Sequence, residues 1–320
     1  MFLNSYASYK YTRVVLMRPL YEMKLIQIEI TNACVLRCAN CTRFVGHHRK
    51  PFFMDVETFT NALDSLEGFP GHIGIMGGEP TLHPQLPEIL RMMREKIPEK
   101  NRREFWTTGL HKWEQYKPIL SETFDKERIA YNDHSQPDGV HQPLLVAAED
   151  VIKDKKLMWE LIDNCWVQMR WSASITPKGA FFCEVAAAAD HLFDGPGGYP
   201  VEKGWWKKTP KEFADQVQRY CPKCSAAIPI PSYSDKAKHD LVSKSNFERL
   251  KRVMSPKYFA GNATLYDKEI TVKDLENEKL ATKQNYRTFV AHGPEDYPEY
   301  LRRKKANSGS TAAATAPSGA

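Results

Sequence analysis

Cys34, Cys38 and Cys41 form a C-x3-C-x2-C array, and Cys221 and Cys224 form a C-x2-C pair. With Cys165 and Cys183 they make seven cysteines in a chain of 320 residues. Seven is odd, and nothing marks the chain for an oxidising compartment, so a disulfide framework is not expected. Thiolates are soft ligands for zinc and for iron–sulfur clusters. Three of them on one short loop can grip three irons of a [4Fe–4S] cube and leave the fourth iron without a protein ligand. An open metal position is where a substrate or cosubstrate binds. The same loop could instead hold zinc, with a fourth ligand from His47 or His48. Spacing alone leaves both readings open.

The surrounding pattern must position this loop. Residues 24–30 (KLIQIEI) are a β-rich run, broken by Thr31-Asn32-Ala33 just before Cys34. Val56, Phe59, Leu63 and Leu66 repeat at helical spacing, and Gly68 is placed to end that helix. Residues 72–76 read as a second strand running into Gly77-Gly78-Glu79-Pro80, and Leu86, Ile89, Leu90 and Met93 as the next helix face. A third strand is expected over 104–107, before Thr108-Gly109, and a fourth over 128–131, before Asn132-Asp133-His134. A fifth is expected over 144–147 and a sixth over 167–172. Strand–loop–helix repeated in this way predicts parallel βα units, in which ligand groups sit on loops after the strand carboxyl ends. The cysteine triplet and the Gly-Gly-Glu-Pro stretch both occupy such loops.

On these two motifs the sequence resembles the radical SAM superfamily. Its C-x3-C-x2-C signature after the first strand is matched by Cys34, Cys38 and Cys41. Its Gly-Gly-Glu motif at the end of the second strand is matched by Gly77, Gly78 and Glu79. The resemblance implies an α/β fold, a partial (β/α)6 TIM barrel, over residues 24–161. It implies a [4Fe–4S] cluster whose open iron takes the amino and carboxylate groups of S-adenosyl-L-methionine. The Gly-Gly-Glu segment would receive the methionine amino group, with glycine allowing close backbone approach and Glu79 supplying opposite charge. Thr108 stands in the Thr-Asn-Gly turn that many relatives carry, and Asn132 is a second expected contact to the cosubstrate. Asn40 departs from the family, which often has an aromatic residue before the third cysteine, near the adenine.

Cys165, Cys183, Cys221 and Cys224 remain, spaced C-x17-C-x37-C-x2-C. Between the first two, residues 175–183 (ITPKGAFFC) carry a hairpin signal around Pro177-Lys178-Gly179. Four thiolates make a closed shell, suited to a structural or electron-transfer site, and a four-cysteine zinc site is the alternative. Beside a radical SAM triplet, the order resembles the Twitch domain, the shortened form of SPASM, as in the 2-deoxy-scyllo-inosamine dehydrogenases. That implies a small C-terminal iron–sulfur domain over 162–231 with a second [4Fe–4S] cluster. The usual SPASM hairpin has Gly-x4-Cys, whereas this chain has Gly179-x3-Cys183, so the likeness is one of ligand order.

Three and four cysteines account for all seven, leaving no spare thiol to return a hydrogen atom as radical epimerases often do. A two-electron oxidation needs no such donor. A 5′-deoxyadenosyl radical takes hydrogen from a carbon bearing a hydroxyl, a proton and an electron follow, and a ketone results. The resemblance therefore implies an oxidoreductase acting on a hydroxylated small molecule, with a flavodoxin- or ferredoxin-type electron donor. His134 and Tyr131, after and in the fourth strand, and Arg170, in the expected sixth, are the candidate catalytic residues. Epimerisation, dehydration, peptide modification and a non-catalytic zinc protein are the alternatives. About 23 residues before the first strand give a leader-peptide-binding domain no room. His83 and His111 read as ordinary loop residues, while His47 and His48 line the entrance to the cluster loop.

Composition bounds the rest. With 42% apolar and 26% charged residues and a net charge of +6, charges of both signs are interspersed and no nucleic-acid partner is called for. No run approaches a membrane span. Lys10, Arg13 and Arg18 are scattered among the first apolar residues, unlike a secretory signal, so a cytoplasmic protein is expected. Residues 1–23 read as an N-terminal extension. The loop 190–206, rich in glycine and holding Trp205 and Trp206, is either a lid or a wrap. Residues 232–306 read as a charged helical extension, with Phe247, Leu250, Val253 and Met254 on one helix and Thr271–Asp274 capping another. Residues 307–320 (NSGSTAAATAPSGA) read as a disordered tail.

Overall fold

A computed structural model describes residues 17–132, 140–163, 165, 167–168, 172–228, 230–271 and 274. The first half alternates as expected: β1 (Leu25–Thr31), α1 (Val56–Ser65), β2 (His72–Gly77), α2 (Leu86–Lys96), β3 (Arg103–Thr107), α3 (Trp113–Thr123) and β4 (Ile129–Tyr131). Then follow β5 (Val140–His141), α4 (Ala148–Val151), α5 (Lys155–Asp163), β6 (Ser172–Thr176), β7 (Gly179–Phe181), α6 (Glu184–Leu192) and α7 (Ala214–Tyr220). The C-terminal part holds β8 (Tyr233–Ser234), β9 (Asp240–Val242), α8 (Lys244–Arg252), α9 (Pro256–Phe259) and β10 (Ala263–Leu265).

The central sheet runs β4-β3-β2-β1-β6-β7, with every pairing parallel except the β6–β7 hairpin. The protein is an α/β structure built on this sheet, consistent with a partial TIM barrel. Period-2 alternation divides β1 between two buried faces. Ile26, Ile28 and Ile30 join the apolar core with Phe59, Leu63, Ile89 and Leu90. Each isoleucine contributes about 1.5–3 kcal/mol by leaving water. Gln27, Glu29 and Thr31 on the opposite face are buried as well. Such a face is costly unless its groups find partners or a ligand. Asp55 caps α1, its Oδ1 accepting from Thr58 N at 2.7 Å. Gly68, at φ +78°, turns the chain just after it.

Two expected strands lie elsewhere. Residues 144–147 form a loop with one bridge, Leu145 to Val242. Their backbone partners come from the C-terminal segment: Ser243 N donates to Leu145 O at 3.1 Å, and Ala147 N to Ser243 Oγ at 2.8 Å. Residues 167–168 are helical, and Gln168 instead brackets Arg18, bonding its N–H and C=O at 2.8 and 2.7 Å. The strand beside β1 begins at Ser172, in a run of small residues. The hairpin at Pro177-Lys178 forms as expected, with Gly179 at φ +118°.

The loop 190–206 is a wrap. Tyr199 bridges Ala180, Gly204 N donates to Ser65 O at 3.3 Å, and Trp206 lies buried against Phe69. α8 ends at Arg252, so Leu250 is buried while Met254, left-handed at φ 56°, is 52% exposed, contrary to its expected place on the helix face. Thr271 N and Oγ1 both donate to Asp274, and the helix this pair is expected to cap lies outside the described residues. Among the described residues no helix is long and apolar enough to cross a membrane. Expectations for residues 1–16, Asp133, His134, Arg170 and 275–320 lie outside the described residues.

Candidate active site

The loops after β1, β2, β3 and β4 converge on one cleft. Cys34, Cys38 and Cys41 line it together with Gly77, Gly78, Thr108 and Asn132. The glycines are required by contact between loops. A Cβ on Gly77 would meet Thr31 O at 2.2 Å, and one on Gly78 would meet Ala33 O at 2.3 Å. Gly78 N donates to Thr31 O at 2.8 Å and Glu79 N to Ala33 O at 2.7 Å, so the Gly-Gly segment is tied to the approach to Cys34. Asn32 Oδ1 accepts from Phe52 N at 2.8 Å and holds the other side of that loop. Burial pushes the Cys34 and Cys38 thiols up to about 12, with Cys41 nearby adding to the effect. A metal that binds them must therefore displace protons.

Glu79 departs from its expected role. Its carboxylate is fully buried and does not line the cleft. Oε1 accepts from Thr81 N (3.0 Å), Thr81 Oγ1 (2.7 Å) and Thr107 Oγ1 (2.9 Å). Oε2 accepts from Thr108 N (2.7 Å) and Thr108 Oγ1 (2.6 Å). Five donors satisfy its lone pairs, so it serves as a tie between the loops after β2 and β3. Tyr131 also turns away. Its ring lies edge-on to Trp113 and over Gly109, where a Cβ would meet it at 1.7 Å, and it does not line the cleft.

The zinc alternative for the triplet relied on His47 or His48. His47 has both ring nitrogens engaged, Nδ1 with Ser255 Oγ at 2.7 Å and Nε2 with Asp240 Oδ2 at 2.6 Å. His48 Nε2 meets Arg43 O at 3.3 Å, and burial, with His191 beside it, lowers its pKa to about 4. Neither lines the cleft. His83, as expected, is a structural loop residue, bonded to Met54 O at 2.8 Å.

Several cleft residues escaped the sequence reading. Arg43, two residues past Cys41, has NH2 3.2 Å from Glu184 Oε1 and NH1 3.6 Å from Glu29 Oε2. Its NH1 also donates to Glu184 O at 2.9 Å. Ser172 donates to the other oxygen of Glu184. Burial pushes the Glu29 carboxyl up to about 7, with Arg43 opposing and Glu184 reinforcing the shift. Gln27 is fully buried in the cleft wall, and neither amide atom has a partner among the described residues. In register beside it on β6, Ser174 also has an unpartnered hydroxyl. His141 lines the cleft too, its Nδ1 2.8 Å from Ala39 O. A carbonyl only accepts, so Nδ1 carries the proton and Nε2 is the basic nitrogen of the neutral ring. No motif marks these residues. Only the inward period of β1 hints at Gln27 and Glu29.

Cys165, Cys183, Cys221 and Cys224 line one separate cavity, mostly walled by apolar side chains such as Met17, Phe44, Ile162 and Phe182. Burial raises all four thiols, Cys224 to about 12, and their mutual proximity raises Cys183 and Cys221 further. Among the described residues, no three His, Cys, Asp or Glu side chains are grouped to hold a single metal ion. The donor sets themselves, three thiols on one cleft and four on one cavity, are the soft ligands an iron–sulfur cluster takes.

Residues 28–125 match the Radical SAM superfamily. The matched segment runs from β1 past α3 and contains the triplet, Gly77–Glu79 and Thr108, while the four later cysteines lie outside it. A [4Fe–4S] cluster and S-adenosylmethionine are what that family implies for the cleft. No curated protein matches the chain. Among solved structures, BtrN in complex with AdoMet and 2-DOIA is similar at 18% identity and a TM-score of 0.43, over 63% of this chain and 92% of BtrN. Selenomethionine BtrN in an open conformation is similar at 18% identity and a TM-score of 0.38, over 63% of this chain and 86% of BtrN.

Proposed function

We propose that the protein is a radical SAM oxidoreductase that removes two electrons from a hydroxyl-bearing small molecule. The observation that carries the proposal is the single cleft lined by Cys34, Cys38, Cys41, Gly77 and Gly78. Cys34, Cys38 and Cys41 would hold one [4Fe–4S] cluster, and Cys165, Cys183, Cys221 and Cys224 a second. When bound, the clusters supply the electron that splits S-adenosylmethionine and an acceptor for the electron the substrate gives up. The chain supplies the rest. Gly77 and Gly78 offer backbone carbonyls to the methionine ammonium, and Thr108 and Asn132 border the same space. Trp106, also in the lining, offers the aromatic face that Asn40 does not. The polar wall of Gln27, Arg43 and Glu184 suits a substrate rich in hydrogen-bonding groups. His141 is the base within the cleft, its Nε2 taking the hydroxyl proton as the carbonyl forms. A flavodoxin or ferredoxin would deliver the electrons, and neither nucleic acid nor membrane takes part.

Anaerobic turnover with a chemical reductant tests this reading. Formation of 5′-deoxyadenosine with a product two hydrogens lighter than a candidate alcohol is the expected result. A product of unchanged mass would mean epimerisation, and loss of water a dehydratase. Stoichiometric zinc without iron or sulfide would end the proposal.

A further inference from the structure

The segment 235–259 follows the last cysteine, and the segment matched to the radical SAM superfamily ends long before it. It nevertheless grips the backbone between Cys38 and Cys41. Lys257 Nζ donates to Cys38 O at 2.9 Å. Ala39 N donates to Asp235 O at 2.7 Å. Asn40 N donates to Asp240 Oδ1 at 2.7 Å, and Asn40 Oδ1 accepts from Leu241 N at 3.0 Å. Asn40 is left-handed at φ 51°, a conformation asparagine tolerates better than an aromatic residue would. The departure from the family pattern at this position therefore has a local purpose here.

Asp240 is the centre of the grip. It is 2% exposed, and its carboxylate also takes Lys257 Nζ at 2.8 and 3.1 Å and His47 Nε2 at 2.6 Å. Lys257 is 6% exposed, and its stem packs so closely on Gly46 that an added Cβ there would meet Lys257 Cε at 2.5 Å. Three consecutive residues of a ligand loop are thus fixed by groups about 200 positions away, and an ammonium stands against the carbonyl of a ligand residue. Hydrogen bonds and charge around ligating sulfurs set the potential of an iron–sulfur cluster.

We propose that Asp240 and Lys257 are positioning residues for the cluster loop, fixing its shape and setting the potential of whatever cluster Cys34, Cys38 and Cys41 hold. This rests on the radical SAM reading. The test is an EPR-monitored redox titration of the full chain, reconstituted anaerobically with iron and sulfide. The signal that changes on adding S-adenosylmethionine reports the triplet cluster. Lys257→Met keeps an unbranched stem and removes the charge. Gly46→Ala leaves the ammonium present but displaces it, because the added Cβ meets the Cε and Cδ of the Lys257 stem. The expected result is a more negative midpoint and altered g values for the responsive signal in Lys257→Met, a smaller shift in the same direction in Gly46→Ala, and an unmoved second signal in both. Unchanged midpoints in both variants would overturn the proposal. Equal shifts of both signals would also overturn it, since that marks general loosening. A wild-type protein with no signal responsive to S-adenosylmethionine would instead overturn the radical SAM reading.

Discussion

The two cysteine sites use the same ligand type in opposite surroundings. The triplet sits on a loop after a parallel strand, in a cleft whose wall carries an arginine, a glutamate, a glutamine and a histidine. The later four face a cavity walled mostly by apolar side chains. Space and unpartnered polarity let a site bind and turn over a ligand, whereas an apolar shell excludes water and suits a group that only stores charge or shape. The two sites are joined by one ion-pair chain: Arg43 follows Cys41 closely, and its partner Glu184 follows Cys183 directly. Arg43 and Glu184 line the cleft, while their chain neighbours Phe44, Cys183 and Val185 line the apolar cavity, so buried charge stands between the two.

The sharpest way to break this contrast is to remove one ligand from each site. Cys38→Ala should lose about four irons and all formation of 5′-deoxyadenosine. Cys221→Ala should also lose about four irons but retain cleavage of S-adenosylmethionine, while oxidised product falls to background. Iron analysis and chromatography of the nucleoside decide it. Equal loss of cleavage in both variants would erase the functional difference between the sites.

The next test cuts the link between them. Arg43→Met leaves Glu29 and Glu184 buried without their cation. Breaking a buried ion pair from one side costs about 3–5 kcal/mol. Urea unfolding at neutral pH should show a loss of that size. A near-neutral result would mean that both carboxyls are protonated in the folded protein and the chain of charge does not exist.

Glu29 allows a finer test of the same wall by pH. Its carboxyl is raised from the ordinary 4.5 to about 7 in the folded protein. Between these values the folded state keeps a proton that the unfolded chain has released. Stability should therefore fall as pH rises through that window and level off above it. The decline attributable to Glu29 is at most about 3 kcal/mol. Glu29→Gln should flatten it, read from denaturation midpoints across pH. An unchanged slope would place the titration elsewhere.

How legible each site was follows from the same contrast. The triplet, the Gly-Gly segment and the four parallel strands that carry them follow from spacing and period, because local geometry fixes them. The later four cysteines could be grouped only by counting, since they come from three segments distant in sequence. The strands expected at 144–147 and 167–172 were misplaced because an apolar run does not reveal its backbone partner. Leu145 finds Ser243, and Gln168 finds Arg18. The true neighbour of β1, Ser172–Thr176, is small and polar and carries no strand signature beyond its Thr and Ile. Glu79 was readable as important but not as a tie, because three of its five donors come from the end of β3, nearly thirty residues away. Arg43, Glu184 and His141 become visible only when the loops close on one another.

Gln27 offers the smallest effect and separates stability from function most cleanly. A buried amide with no partner among the described residues is a liability to the empty fold, costing about 1–3 kcal/mol in desolvation. Oε1 lies over Gly74, where a Cβ would meet it at 2.2 Å, and Ser174 beside it is also unpartnered among the described residues. Gln27→Met keeps the unbranched shape and removes both polar atoms. If the amide waits for a substrate group, the variant should unfold about 1 kcal/mol later in urea than the parent. Product formation should then fall at least about tenfold, because a site built to hydrogen-bond a hydroxyl loses its discrimination with its partner. Cleavage of S-adenosylmethionine without substrate should persist, because Gly77, Gly78 and the cysteines are untouched. A variant that is less stable and equally active would show that Gln27 holds the barrel wall together and that the substrate lies against other groups of the cleft.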